Sequence, residues 1–377
     1  MKLFVPKETN PAETRVPLIP TDAGKLAKLG ASVEVEAGIG ESINISDQAY
    51  EEVGARVSNE RKTSLSKAEM VLRLSVPDVK DVQCLNEGCI HVSHLDPFNN
   101  AKVIKELAAK RVSGISLEMI PRTSIAQKMD ALSSQANLAG YVAVVLAAGR
   151  VPIIFPMMMT AAGTISPARV LVIGVGIAGL QAIATAKRLG ARVDAFDVRP
   201  EAREQILSLG AKPLIIDLGQ TNKTKDGYAK QLTDQQLRMQ RQAIAKQCAQ
   251  SDVVITTAKV FGRKAPIIVT NEMLDGMKPG SLVVDLAVED GGNVEASELN
   301  KEIVRKGVTI IGWPLLERRV PVHASQMFSC NLYNLLEHFW DRDTGGFKLN
   351  RDDEIIQSCL VTHEGEIICP ITKAALS

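Results

Sequence analysis

The apolar run Arg169-Val-Leu-Val-Ile173 leads directly into Gly174-Val-Gly-Ile-Ala-Gly179. The run predicts a short buried strand, and Leu180 to Leu189 predict the helix that follows. A G-x-G-x-x-G turn between strand and helix is typical of dinucleotide folds. Its first glycine permits the tight turn, its second admits a pyrophosphate, and its third lets helix and strand pack closely. We therefore predict a dinucleotide site here, with Ile177 and Ala178 among the binding residues.

Asp197 strengthens this prediction because it directly follows the next strand candidate, Arg192–Phe196. At this position an acid binds the adenosine ribose hydroxyls. A carboxylate there also repels a 2′-phosphate, which favours NAD(H) over NADP(H). Arg199 weakens this preference for NAD(H), since a nearby arginine can accept the 2′-phosphate. The alternative is a glycine-rich turn that binds no ligand.

Strand and helix patterns alternate through the rest of the chain, which predicts parallel sheets wrapped by helices. Strand candidates before Gly174 are Lys2–Pro6, Val33–Glu36, Met70–Leu74, Cys89–Val92 and Gly114–Leu117. Those after Asp197 are Pro213–Ile216, Asp252–Ile255, Ser281–Val284 and Val308–Ile311. Helices are predicted at Thr21–Gly30, with Thr21 as N-cap, and at Ala101–Arg111. In a C-terminal helix, Leu332, Leu335, Leu336 and Phe339 form one buried face.

The expected fold class is α/β: two Rossmann-like doubly wound parallel-sheet domains with a cleft between them. We expect residues 1–137 and 325–377 to form one domain, and residues 138–324 to form the NAD(H)-binding domain. The uncharged stretch Ala131–Gly149 is interrupted by serines and amides, so we interpret it as a buried helix of a soluble protein.

Composition excludes several classes. Lys plus Arg number 44 and Asp plus Glu 43, and aromatics are 4%, which argues against nucleic-acid binding. Cys84, Cys89, His91 and His94 are close in sequence, but their spacing fits no common zinc pattern. We expect no metal site there, and we interpret Met157-Met-Met159 as packing at a domain junction.

Several longer stretches resemble the NAD(H)-binding component of proton-translocating nicotinamide nucleotide transhydrogenases, within the alanine dehydrogenase/transhydrogenase family. They are Met119–Tyr141, Pro156–Gly163, Gly174–Gly190, Asp197–Arg199, Gly227–Ala229, and Asp285–Glu289 with Gly291–Asn293. They are distributed between residues 119 and 293 of the chain.

The resemblance implies roles for individual residues. Arg122, Gln127, Asp130 and Ser133 would form a polar network around the nicotinamide and its ribose, with Gln127 directed at a second nucleotide. Tyr228 would lie on a loop that closes over NAD(H). Residues expected near the rest of the cofactor are Asp197, Val198, Arg199, Gln240, Ala258 and Lys259. At Lys259 the family usually has an apolar residue.

The resemblance also implies an activity. Hydride would pass directly between NADH and NADP+, and the NADP(H) would be held by a partner subunit. No proton moves in that step, so residues that position the two rings would suffice, without a general acid or base. Implied partners are a membrane-spanning proton-channel subunit, the NADP(H)-binding subunit and a second copy in a homodimer. The chain would be cytoplasmic and peripheral on the inner membrane.

Two other functions remain open. An alanine dehydrogenase would have a substrate-binding lysine near Ser75 and would use the histidine matched by His94 as its acid–base group. A non-enzymatic NAD(H)-sensing scaffold would bind the cofactor without turnover.

Overall fold

The computed structural model describes residues 1–216, 234–260 and 262–376. The chain forms two compact units, one of Met1–Gln135 with Arg318–Ser377 and the other of Ala136–Glu317. We call them the N-terminal unit and the central unit. Each contains a doubly wound, mainly parallel sheet, as the predicted fold class requires.

Strands and helices are numbered in chain order over the described residues. The strands are β1 Lys2–Val5, β2 Ser32–Glu36, β3 Arg56–Ser58, β4 Met70–Leu72, β5 Ile90–Ser93, β6 Ser113–Ser116, β7 Met158–Thr160, β8 Gly163–Ile165, β9 Arg169–Ile173, β10 Arg192–Phe196, β11 Lys212–Pro213, β12 Val253–Thr256, β13 Leu282–Asp285, β14 Lys301–Arg305, β15 Val308–Gly312, β16 Trp340–Asp341, β17 Gly346–Phe347, β18 Leu360–His363 and β19 Glu366–Ile367. The α-helices are α1 Pro20–Lys28, α2 Asp47–Glu51, α3 Arg61–Lys67, α4 Val79–Cys84, α5 Ala101–Ala109, α6 Ala131–Arg150, α7 Ile177–Arg188, α8 Ala202–Ser208, α9 Asp234–Gln250, α10 Asn271–Asp275, α11 Pro321–His338, α12 Glu354–Cys359 and α13 Pro370–Leu376.

The sheet of the N-terminal unit has the order β19-β18-β6-β5-β4-β1-β2-β3. Strands β1 to β6 are parallel, and β18 and β19 from the C-terminal segment extend the sheet in antiparallel fashion. The strand order therefore reverses between β1 and β4. In open α/β sheets, ligands bind outside the carboxyl ends of the strands at such a reversal.

The central sheet has the order β11-β10-β9-β12-β13-β15-β14, which reverses between β9 and β12. Strands β9 to β13 and β15 are parallel, and only β14 among the described strands of this sheet is antiparallel. Strands β12 and β13 are buried along their whole length, as expected for strands covered on both faces.

Several predicted elements differ from the structure in detail. Helix α1 begins at Pro20 with Ile19 as its N-cap, so the assignment of Thr21 as N-cap was wrong: proline favours the first helical position, and Thr21 already lies inside the helix. The strand predicted at Pro213–Ile216 is reduced to β11. Met157 to Met159, expected to be packed, are 60%, 44% and 74% exposed and lie in or beside the β7–β8 hairpin.

Two long helices cover residues singled out in the sequence. Helix α11 buries Leu332, Leu335 and Leu336 completely, which confirms the predicted apolar face. Helix α6 is long and apolar enough to cross a membrane by length and composition, and 44% of its most apolar window is buried in the folded chain. Core helices of soluble proteins pass the same test, so this helix alone does not indicate a membrane span.

Candidate functional site

The glycine turn of the central unit lies at the carboxyl end of β9, at the reversal point of the sheet. Gly174 has φ +89°, a conformation that favours glycine, and a Cβ there would lie 2.8 Å from the Ala258 nitrogen. A Cβ on Gly179 would lie 2.0 Å from the carbonyl oxygen of Gly174. These two glycines are therefore required by close contacts within the protein.

Gly176 has a different role. It is the N-cap of α7, and a Cβ added to it would meet nothing within 4 Å. Its surroundings leave room for a group outside the chain, directly in front of the N–H groups of the first helical turn that begins at Ile177 and Ala178. A helix N-terminus with such an approach fits the pyrophosphate of a dinucleotide.

Helix α7 is also held in place by a close contact with α6. A Cβ on Gly140 of α6 would lie 2.2 Å from the carbonyl oxygen of Ala178. The two helices therefore touch through their backbones at the first turn of α7. This contact explains a glycine in the Met119–Tyr141 stretch to which the sequence alone assigned no role.

Asp197 lies beside the turn, as predicted. Its Oδ2 accepts the Val175 N–H at 2.7 Å, and its Oδ1 accepts the Arg199 N–H at 2.8 Å. Burial alone would raise the pKa of this carboxyl, but the hydrogen bonds from Arg199 and Val175 outweigh it and lower the pKa. The acid is therefore ionised and oriented toward the turn. Val198 next to it is 62% exposed.

The second wall of the site is the segment after β12. Thr257 donates its hydroxyl to the Gly174 carbonyl at 2.9 Å. Asn293 accepts the Ala258 N–H and donates to the Ala258 carbonyl, both at 2.8 Å. These contacts join the ends of β9 and β12 and fix the backbone at Ala258, one of the predicted cofactor residues.

Asp285, at the end of β13, organises the loop that carries Asn293. It is fully buried and accepts hydrogen bonds from the Thr256 hydroxyl and from the backbone N–H groups of Ala287, Asn293 and Val294. In the sequence, Asp285–Asn293 stands out only through its resemblance to the family. Thr257, Asp285 and Asn293 are thus site residues whose roles the sequence pattern does not indicate.

The remaining predicted cofactor residues differ in what surrounds them. Lys259 forms an ion pair with Asp290 at 2.9 Å, between the segments that follow β12 and β13. Gln240 lies on α9, and its Oε1 is buried without a hydrogen-bond partner among the described residues. Tyr228 lies outside the described residues.

In the N-terminal unit, the structure brings two of the four predicted residues together. Asp130 immediately precedes α6 and accepts the backbone N–H of Ser133 at 2.8 Å, and the Ser133 hydroxyl also donates to its carboxylate. This is the geometry of a helix N-cap. Arg122 and Gln127 are exposed, and within the residues that the structure describes their side chains have no hydrogen bond or ion pair.

The segment that carries Gln127 is anchored to α11. The carbonyl of Lys128 accepts hydrogen bonds from the side chains of Asn331 at 2.9 Å and Asn334 at 3.0 Å. Asn331 also accepts the Ser134 hydroxyl at 2.7 Å. The backbone around Gln127 is thus held while the Gln127 side chain points outward.

At the reversal point of the N-terminal sheet, charged side chains lie where the central sheet has its glycine turn. Arg73 is fully buried and pairs with Asp81 at 2.8 Å and with Glu8 at 3.4 Å. Glu8 also accepts the Leu74 N–H at 2.7 Å. The carboxyl ends of β1 and β4 are therefore occupied by an internal ion-pair cluster.

The histidines near β5 have structural partners. His91 is buried, and burial together with the charge of Arg73 lowers its pKa to about 3, so its ring is neutral. His94 lies 3.5 Å from Glu118; burial raises the pKa of that carboxyl, but the bond and charge of His94 outweigh it and lower the pKa. Burial raises the pKa of the Cys89 thiol to about 12. Among the described residues, no three His, Cys, Asp or Glu side chains could hold a metal ion together.

The two doubly wound domains and the glycine turn with its acid define an NAD-binding oxidoreductase fold. The family description "Alanine dehydrogenase/PNT, N-terminal domain" matches residues 4–139, and "Alanine dehydrogenase/PNT, C-terminal domain" matches residues 143–370. The chain therefore belongs to the alanine dehydrogenase/PNT family, which confirms the resemblance noted in the sequence.

Within this family, the chain is similar to proteins that are named transhydrogenases. The first of the chains that make up the NAD(P) transhydrogenase alpha subunit of Rhodospirillum rubrum is 43% identical, with 98% of each chain covered. The NAD(P) transhydrogenase subunit alpha of Haemophilus influenzae is 38% identical over 98% of this chain and 72% of its own length. A crystal structure of transhydrogenase from Sinorhizobium meliloti is 42% identical, has a TM-score of 0.87 and covers 98% of this chain and 100% of its own.

Proposed function

We propose that this chain is the NAD(H)-binding subunit of a proton-translocating transhydrogenase and that it takes part in direct hydride transfer between NADH and NADP+ held on a partner subunit. The observation that carries the proposal is the turn from Gly174 to Gly179, whose Val175 N–H is bonded to the Asp197 carboxylate. This arrangement occurs in a chain that is similar over nearly its full length to proteins named transhydrogenase alpha subunits.

In this proposal the central unit binds NAD(H). The N-terminus of α7 holds the pyrophosphate, and Asp197, Val198 and Arg199 contact the adenosine. The ordered backbone at Ala258 supports the other end of the nucleotide, with Gln240, Lys259 and Tyr228 nearby. When bound, NADH supplies the hydride, and the chain's own residues bind and orient it.

Arg122, Gln127, Asp130 and Ser133 are proposed to position the nicotinamide and its ribose. The exposed side chains of Arg122 and Gln127 are available for this, whereas Asp130 and Ser133 are bonded to each other and order the start of α6. Hydride transfer requires close positioning of two rings and no proton relay, so it does not require a catalytic triad.

An alanine dehydrogenase activity is less well supported by the geometry. Ser75 stands near the place where that activity would require a lysine, and the neighbouring Arg73 is committed to Asp81 and Glu8. Arg15, another buried cation of this unit, donates to Glu13 at 2.7 Å and to Gln135 at 3.0 Å. These cations already have anionic or amide partners within the protein.

The proposed partners are a membrane-spanning proton-channel subunit and an NADP(H)-binding subunit, so the chain would be peripheral on the cytoplasmic side of the inner membrane. The enzyme would be of the Si/Re-specific type. We further propose a homodimer. Its support is the β7–β8 hairpin, on which Met157, Met159 and Ile165 are 60%, 74% and 48% exposed. Apolar surface of this kind is typical of a protein contact.

The test is hydride exchange in a mixture of the purified chain and an NADP(H)-binding subunit, followed as reduction of an NAD+ analogue by NADPH. We expect Gln127→Ala to leave NADH affinity within about twofold and to slow transfer by roughly tenfold, which corresponds to the loss of one hydrogen bond of about 1.4 kcal/mol in the transition state. Gln357→Ala, an exposed glutamine of the same unit, is the control and should leave both quantities unchanged.

Each of three outcomes would contradict one part of the proposal. Reduction of NAD+ by alanine would support an alanine dehydrogenase. NADH binding without any exchange would support a sensing scaffold. Equal loss of binding and transfer in Gln127→Ala would assign Gln127 to cofactor binding.

A further inference from the structure

The peptide group between Gly174 and Val175 is held at both ends by side chains that follow the neighbouring strands. Its carbonyl accepts the hydroxyl of Thr257, after β12, at 2.9 Å. Its N–H, on Val175, donates to the carboxylate of Asp197, after β10, at 2.7 Å. In a trans peptide the C=O and the N–H point in opposite directions, so these two bonds together determine the orientation of the peptide plane.

The N–H groups that follow this peptide are available to an anion. Among the described residues, the backbone N–H groups of Gly176, Ile177 and Ala178 donate no hydrogen bond, as is usual where a helix begins. They are the donors that the proposed site offers to the pyrophosphate. An acceptor oxygen of the protein on the same side of the turn would repel that anion, so the direction of the Gly174 carbonyl matters for binding.

The glycine at position 174 makes this direction easy to lose. Gly174 has φ +89°, a conformation that residues with a Cβ rarely adopt. Because glycine takes up backbone conformations of either sign of φ at little cost, local sterics offer little resistance to rotation of the adjoining peptide. After such a rotation, the carbonyl oxygen would lie where the Val175 N–H now lies, and it would face the Asp197 carboxylate. A hydrogen bond from outside the turn is therefore needed to hold the carbonyl.

Thr257 is well placed to supply that bond because its own backbone is fixed on both sides. Its N–H donates to the Ile173 carbonyl at 2.8 Å, which continues the pairing of β9 with β12. The next residue, Ala258, is bonded twice to the side chain of Asn293. Among the described residues, the Thr257 hydroxyl is also the only hydrogen-bond donor to the Gly174 carbonyl.

From these contacts we propose that Thr257 is a positioning residue for the pyrophosphate: its hydroxyl holds the Gly174 carbonyl on the β12 side and so keeps that oxygen away from the anion-binding side of the turn. The inference rests on the proposed NAD(H) site and deepens it by adding a residue that acts through the backbone of the turn. Loss of the hydroxyl should therefore weaken ligands that carry phosphates and spare a ligand that has none.

The experiment compares wild type, Thr257→Val and Thr257→Ser as full chains, with NADH titrated by calorimetry and with ADP and adenosine titrated by NMR. Valine has nearly the shape of threonine but no hydroxyl, so we expect Thr257→Val to weaken NADH and ADP by roughly fivefold to tenfold, the scale of one hydrogen bond. Adenosine carries no phosphate, so its affinity should stay within about twofold of wild type. Serine keeps the hydroxyl and should restore most of the NADH and ADP affinity.

The matched control is Thr309→Val, which removes the hydroxyl of a half-buried threonine of β15 that makes no side-chain hydrogen bond within the described part of the chain. It should bind all three ligands like wild type. Thr257→Ala repeats the test if the valine variant has a lowered melting temperature. Equal losses for ADP and adenosine, no loss for ADP, or a serine variant as weak as the valine variant would overturn the positioning role and leave the proposed function intact. Failure of the wild type to bind NADH would instead overturn the proposed function, and the positioning role with it.

Discussion

Asn293 and Ala258 are joined by two hydrogen bonds of 2.8 Å, with the Asn293 amide accepting the Ala258 N–H and donating to the Ala258 carbonyl. The side chain thus acts like a neighbouring strand and fixes the backbone at the carboxyl end of β12. A further bond from Asn293 Nδ2 to the Pro266 carbonyl, at 2.9 Å, holds the side chain in place.

The first prediction follows from this pair. Asn293→Ala removes all three side-chain bonds and leaves the partly buried backbone groups of Ala258 unpaired. We expect the free energy of unfolding to fall by about 2–3 kcal/mol and NADH affinity to fall by roughly tenfold, measured by urea unfolding and nucleotide titration. Asn137→Ala, an exposed asparagine of α6, should leave both unchanged. Wild-type NADH affinity in Asn293→Ala would show that order at Ala258 is not needed for binding.

The second prediction separates two glycines of one turn. Gly179→Ala places a methyl group 2.0 Å from the Gly174 carbonyl oxygen, so it should lower the melting temperature and NADH affinity together. Gly176→Ala meets no protein atom within 4 Å, so it should keep the melting temperature and weaken NADH alone. Thermal unfolding with and without NADH measures both effects. A Gly176→Ala protein that binds NADH normally would mean that the pyrophosphate does not approach this residue.

The third prediction concerns Asp130 as a helix cap. Asp130→Ala should lower the free energy of unfolding by about 1 kcal/mol, because the Ser133 N–H loses its acceptor. Asp130→Asn should restore most of that loss, since asparagine caps helices equally well. Denaturant unfolding of the three proteins gives the comparison. If Asp130→Asn is as unstable as Asp130→Ala, the negative charge and not the cap stabilises the start of α6.

The fourth prediction is a pH dependence of stability that arises from His91. The unfolded chain protonates this ring near its ordinary pKa of 6.5, whereas burial and the charge of Arg73 lower the folded pKa to about 3. The contribution of the neutral ring to stability is therefore complete above pH 6.5 and is lost as the pH falls from 6.5 toward 3. Between pH 7.5 and pH 5 this amounts to about 2 kcal/mol.

His91→Gln checks this assignment. The variant should lose about 2 kcal/mol less stability than wild type when urea unfolding at pH 5 is compared with pH 7.5. His323→Gln removes an exposed histidine of α11 and should keep the wild-type pH dependence. Identical pH profiles for wild type and His91→Gln would mean that other groups govern stability in this range.

The fifth prediction tests the hairpin as a dimer contact. Met159→Asp should convert the proposed dimer to a monomer in sedimentation, because a carboxylate would be desolvated at the contact. The monomer should keep its secondary structure, since Met159 is 74% exposed within one chain. Val304→Asp, at a position 67% exposed on β14, should leave the assembly unchanged. A Met159→Asp protein that sediments like wild type would remove the hairpin from the interface.

The parts of this fold that the sequence predicts are those in which local pattern and tertiary environment agree. Val170 to Ile173 are apolar and become a central strand, and Gly174 follows where the chain must turn. Edge elements do not have this property. Strand β14 has an alternating, mostly exposed sequence, and Ile215 is apolar but 64% exposed, so neither has the pattern of a buried strand.

Site residues that depend on contacts distant in sequence were the hardest to predict. Asn293 lies 35 positions from Ala258, and only the folded sheet brings them together. Asp285 is a fully buried carboxylate whose partners are mostly backbone N–H groups, which no side-chain pattern reveals. The Asp130 cap is different, because an aspartate directly before an apolar run is a recognisable N-cap signal.

The ion-pair cluster of Glu8, Arg73 and Asp81 has a consequence for stoichiometry. The parallel strands of both units follow one order, yet in the N-terminal unit the edge where such sheets take ligands is closed by the protein's own charges. We therefore expect calorimetric saturation at one NADH per polypeptide. The chain thus contains two sheets with the same strand order, and we expect only the central one to bind a dinucleotide.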